Sequence, residues 1–140
     1  MPLAPRVANT ATLRSFLWLA ILAMALRLST WSEHVASHTN LAAVVVTPVL
    51  IASVVYGLLA IRSLGRTPHW QYLPGHARGH VVWTFVGSVV LGGLGTCMAL
   101  TLEAPEVVAA MAGMAALCNA AGEAMLALRF RSCVARATSA

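Results

Sequence analysis

Apolar residues run through this chain in four long blocks, not in the short alternations of strands or the one-sided stripes of surface helices. The blocks cover about residues 13–31, 41–61, 81–102 and 107–128, each close to the ~20 residues that a helix needs to cross ~30 Å of hydrocarbon. Polar residues and arginines collect between them. The pattern predicts an all-α integral membrane protein, with four transmembrane helices forming an up-down antiparallel bundle within residues 13–130. Residues 1–12, small and polar with Pro2 and Pro5, read as a flexible lead, and residues 131–140 as a short cytoplasmic tail.

The blocks are not equally regular. The first is interrupted by Arg27, and its positively charged start followed by Ala23-Met24-Ala25 resembles a signal peptide with a cleavage site. Three further spans follow, so an uncleaved first helix is the preferred reading. The second block carries Pro48, where a kink is expected, the freed carbonyl being met by Thr47 or by a neighbouring helix. Between the third and fourth, Leu102-Glu103-Ala104-Pro105-Glu106 reads as a tight turn. Pro105 suits a first helical turn, and Glu106 suits the positive end of the helix dipole.

Charge sets the expected orientation. Arg6, Arg14, Arg62, Arg66, Arg78, Arg129, Arg131 and Arg136 all fall on one side of a four-span arrangement, leaving only Arg27 on the other. By the positive-inside rule that side is the cytoplasm, giving N-in/C-in in a bacterial inner membrane or its equivalent. Composition agrees: 59% of residues are hydrophobic and 9% charged, against about a quarter charged in soluble domains. The formal charge of +5 is accounted for by these helix-end arginines, so nucleic acid is not an expected partner. All basic residues are arginine and all acidic ones glutamate, which reads as a bias of composition and not as a site.

Glu123 is the residue whose placement is physically unusual. It lies six positions before Arg129, about 9 Å inside the fourth span at ~1.5 Å per residue. Asn119 precedes it by one turn, on a face shared with Ala112, Ala116, Ala120 and Ala127. A polar pair on a small-residue stripe points into a helix interface. Four readings compete: interhelical packing glue with the carboxyl neutral, a proton- or cation-coupling carboxylate, a salt bridge to Arg62, Arg66 or Arg129, and a shallower helix register that leaves Glu123 near water. Arg27 is expected to snorkel to the outer interface, towards Glu33, Glu103 or Glu106.

The third span carries Gly87, Ser88, Gly92, Gly95, Thr96 and Ala99, and the fourth adds Ala112, Gly113, Ala116 and Ala120. Small residues at helical spacing let backbones approach closely, so the third and fourth helices are expected to form a tight hairpin or a dimerisation face. Histidine pairs His34/His38 and His76/His80 have one-turn spacing, and His69 lies near the second pair. The topology puts the two pairs on opposite sides, which disfavours one shared metal centre. Of these, His69, His76 and His80 are the weak metal candidates, and a b-type haem between His80 and another helix is the cofactor alternative to none at all. Cys97, Cys118 and Cys133 lack Cys-x-x-Cys spacing and read as small packing residues.

The inner loop, with Arg62, Arg66 and Arg78 beside His69, Trp70 and Tyr72, suits anionic headgroups or a partner protein. No Gly-x-Ser-x-Gly, Walker loop or carboxylate pair is present. The expectation is therefore a small non-enzymatic membrane protein: an oligomerising or accessory subunit of a larger membrane complex. The alternatives are a small proton- or cation-coupled transporter or channel using Glu123 and Asn119, and a haem-binding electron-transfer subunit.

Overall fold

The structure, a computed structural model, describes residues 4–32, 39–67, 70–101 and 105–139. Four helices make up nearly all of it: α1 (Ala4–Ser32), α2 (Thr39–Leu64), α3 (Gly75–Thr101) and α4 (Pro105–Ser139). A single 3-10 turn, Trp70–Tyr72, leads into α3. All four helices are long and apolar enough to cross a membrane.

Both ends of the chain are helical well beyond the apolar blocks. α1 begins at Ala4, so residues 4–12, expected as a flexible lead, form its first turns. The reason is local and tertiary together. Thr10 and Thr12 donate their hydroxyls to the carbonyls of Arg6, Val7 and Ala8, and Ala8 and Ala11 are buried against the far end of α4. α4 in turn runs to Ser139, through the expected tail. Arg131 donates from Nη2 to Thr12 Oγ1 at 3.2 Å, joining the two extensions. α4 opens at Pro105, whose missing N–H costs nothing in a first turn. Pro48 lies inside α2 on an exposed position.

Contact pairs fix the relative directions. Arg14 meets Glu123 and Leu22 approaches Gly113, so α1 and α4 run antiparallel. Gly57 faces Ser88 while Gly92 faces Val54, so α2 and α3 do the same, and Gly87 with Cys118 and Gly95 with Met111 show it for α3 and α4. α4 touches all three other helices. The α1–α2 seam is the lightest of the packed faces, whereas α1 against α4 is the most extensive.

The core is stacked in three layers. At the end where the arginines gather, Leu64, Leu73, Val81, Phe85, Leu126 and Phe130 close around the start of α1. Trp18, Ala116 and Ala120, with Leu22 and Tyr56, form the middle. Val46, Leu50, Val108 and Ala112 fill the other end. Large apolar side chains also cover the outside, including Phe16 at 64% exposure and Trp83 at 72%, while Ser15, Ser53, Ser88, Asn119 and Glu123 are buried. Water does not favour such a distribution. It is the arrangement expected of a bundle whose outer face meets lipid and whose few polar groups turn inside.

Candidate functional site

Glu123 is buried, as its position in an apolar block requires, and it is 3% exposed. Its partners come from two other helices. Arg14 Nε donates to Oε1 at 3.0 Å from α1, and the Tyr56 hydroxyl donates to the same oxygen from α2. The expected salt bridge thus exists, but with Arg14 in place of Arg62, Arg66 or Arg129. The correction follows from helix direction: antiparallel α1 brings Arg14 to the depth of Glu123, whereas Arg129 stands six residues further along the same helix.

Aromatic packing holds the tyrosine in place. The Trp18 and Tyr56 rings meet edge-on with centroids 5.0 Å apart, and Phe85 lies 6.4 Å from Tyr56 on the α3 side. Next to this cluster, Ser15 donates its hydroxyl to the Ala120 carbonyl at 3.0 Å, a further tie between α1 and α4. Asn119, fully buried, donates from Nδ2 to the Ser53 carbonyl on α2 at 3.3 Å. Three oxygens in this zone, Ser53 Oγ, Asn119 Oδ1 and Glu123 Oε2, are buried without a hydrogen-bond partner. Unsatisfied buried acceptors are costly, and such groups commonly engage a water or a ligand.

A cavity of about 550 Å³ reaches this cluster from the arginine-rich end. Phe85, Leu126 and Glu123 form its buried floor, and Arg62, Ser63 and Arg66 its exposed rim. Arg14, 42% exposed, stands between the two, so its charge is partly open to the cavity.

The small residues close helix contacts within the chain. A Cβ on Gly92 would lie 2.7 Å from Val54 Cγ2 and 3.1 Å from the Leu50 carbonyl oxygen, and one on Gly95 would lie 2.6 Å from Leu50 Cδ2. Ser88 packs at Gly57. The Ser88–Gly92–Gly95 stripe therefore faces α2 and is buried, leaving no open small-residue face there for a second copy. Ala99, expected to extend the stripe, is exposed. Contact between α3 and α4 uses Gly87, near Cys118 Sγ, and Gly122, whose Cβ would fall 2.8 Å from Phe85 Cζ. On α4, Ala112 receives α2, while Ala116 and Ala120 receive Trp18 and Tyr56 from α1 and α2, and Gly113 lies near Leu22.

Arg27 is exposed near the far end of α1. His76 and His80 are exposed one turn apart on α3, with ring centroids 6.3 Å apart. His69, like Glu33, His34, His38 and Glu103, lies outside the described residues. Among the described residues no group of three His, Cys, Asp or Glu is placed to hold a metal ion. Glu123 and Asn119 stand out in the sequence, whereas Tyr56, Ser15, Ser53, Gly57 and Gly122 do not. The one available signal for Tyr56 is a phenol in the middle of an otherwise apolar span. No family model matches this chain, and the comparisons with curated proteins and with solved structures found no match.

Proposed function

We propose that the chain is a non-enzymatic multi-pass membrane protein, inserted with both termini on the cytoplasmic side, that serves as an accessory subunit of a membrane complex. The observation that carries this reading is the use made of Glu123. Its charged contact is spent on tying α1, α2 and α4 to one another through Arg14 and Tyr56. Because the Ser88–Gly92–Gly95 stripe is occupied by α2, a partner or second copy meets the outward apolar side chains, such as Val90, Leu94, Met114 and Leu117. The orientation rests on the arginine distribution.

A second reading, a small proton- or cation-coupled transporter, is favoured by a different observation. Glu123 Oε2, Asn119 Oδ1 and Ser53 Oγ are buried acceptors without partners, and the cavity reaches Glu123 from one side. Reconstitution separates the two. Proteoliposomes holding the wild type and Glu123→Gln are compared for flux driven by a pH gradient or a cation gradient. The subunit reading expects no flux above empty liposomes from either protein. Wild-type flux that Glu123→Gln abolishes, with the variant still folded, replaces it with the transport reading.

A further inference from the structure

We propose that the arginine-lined cavity is a binding site for the phosphate group of an anionic lipid, whose acyl chains leave along the seam between α1 and α2. Three arginines, Arg14, Arg62 and Arg66, line it against one carboxylate. That carboxylate is already engaged by Arg14 Nε and by Tyr56, and the contact does not use the terminal nitrogens of Arg14. Among the described residues no other acid lines the cavity, and Glu106 lies on the same helix seventeen residues before Glu123, about 25 Å along the axis. The surplus of positive charge thus faces the cavity.

The hydroxyls nearby do not compete for the role of anion donor. Ser63 donates to the Ala60 carbonyl and Thr67 to the Ser63 carbonyl, so both are spent on the end of α2. Guanidinium groups are what remain, and their planar fork matches phosphate oxygens with two parallel hydrogen bonds. A volume of about 550 Å³ lies within the range of small-molecule sites and has room for a headgroup.

The apolar side of the site points to a lipid and not to a soluble phosphate ester. Leu59 both lines the cavity and is 58% exposed on the outer surface. Leu17 on α1 and Val55 on α2 are exposed apolar side chains about one turn further from the arginine end than Arg14 and Leu59. The contact between these helices is lighter than that of α1 with α4 or of α2 with α3. A ligand with its charge at the rim and hydrocarbon below it meets both halves of this surface. Such a site is compatible with the subunit and the transport reading alike.

Native mass spectrometry of the full chain in detergent, titrated with phosphatidylglycerol or phosphatidylcholine, tests the site. Arg62→Gln/Arg66→Gln, which removes two cations beside the headgroup, is expected to weaken phosphatidylglycerol retention by roughly thirty-fold, and to leave phosphatidylcholine unchanged. Arg129→Gln/Arg136→Gln removes the same charge from the same end of the bundle, outside the cavity, and is expected to change retention less than about two-fold. Because Arg62 and Arg66 are exposed, the thermal midpoint of the first variant should match the wild type, and each single substitution should give an intermediate loss. Equal losses in both double variants would mean diffuse surface attraction and overturn the site. No wild-type preference for phosphatidylglycerol over phosphatidylcholine would also overturn it. Displacement of the lipid by glycerol 3-phosphate at comparable concentration would assign the cavity to a soluble phosphate ester and overturn the lipid assignment.

Discussion

Arg14 and Glu123 stand 109 positions apart in the chain and meet at 3.0 Å, which makes α1 and α4 a charge-matched pair inside a largely apolar bundle. Neither charge is comfortable alone in such surroundings. Removing one partner of a buried pair is generally far worse than removing both, because the survivor is left uncompensated.

A double-mutant cycle tests that relationship. Arg14→Gln and Glu123→Gln are each expected to lower the unfolding free energy in detergent by about 1–2 kcal/mol, the usual penalty being discounted because Arg14 is partly exposed to the cavity. The double variant should lose clearly less than the two singles combined. Strict additivity in thermal or denaturant unfolding would show that the pair has no energetic coupling.

Tyr56→Phe removes the second donor to Glu123 while keeping the ring against Trp18 and Phe85. A hydrogen bond to a charged group contributes about 1.5–3 kcal/mol, so a drop in stability near the low end of that range is expected. Tyr56→Ala should cost more, because it also empties the aromatic layer. If the phenylalanine variant unfolds with the wild type, the hydroxyl is not a tie.

How far the sequence carried the reading is clearest at these residues. Glu123 and Asn119 are legible because a polar group in an apolar run has nowhere to go but an interface. Arg14 is not legible as their partner, since an arginine before an apolar run reads equally well as a topology marker. Only the antiparallel course of α1 along α4 sets it at the depth of Glu123. The small-residue stripe shows the same division. Its spacing says where a backbone approaches closely, but not which helix arrives, and α2 takes the place that hydropathy left open between α4 and a second copy. Hydropathy does not reveal the helix at residues 4–12 because Ala8, Ala11 and Thr12 meet α4 around Leu126–Arg131, a contact independent of apolar length.

Substitutions at glycine separate tight from open positions. Gly92→Leu and Gly57→Ala place atoms where Val54, Leu50 and Ser88 already stand, and should destabilise the folded monomer, by roughly 1–3 kcal/mol for the smaller change. Val90→Leu, on an exposed position of α3, and Gly93→Ala, with open space around the added methyl, should be neutral or slightly stabilising. Comparable loss in Gly93→Ala and Gly57→Ala would contradict the packing of α2 on α3.

Cysteine accessibility checks the orientation. In a background without Cys97, Cys118 and Cys133, single cysteines at Trp70 and Ala137 should react with a membrane-impermeant reagent only from the cytoplasmic side, and one at Ala36 only from the opposite side. Labelling of position 36 from the cytoplasm would reverse the arginine-based assignment.

That α4 contacts every other helix has a bearing on how the protein is made. α4 leaves the ribosome after α1, α2 and α3, so α1 must wait for the surface it packs on most, having its lighter contact with α2 in the meantime. At about 5–20 residues per second, the 109 positions between Arg14 and Glu123 take roughly 5–20 s to synthesise. During that interval the Arg14 charge lacks its carboxylate. Nascent chains arrested before Pro105 should therefore leave α1 readily crosslinked to the insertion machinery or to lipid, and release of α4 should abolish those crosslinks. Biogenesis of this small bundle would then close from its C-terminal helix inward, with the ion pair marking completion.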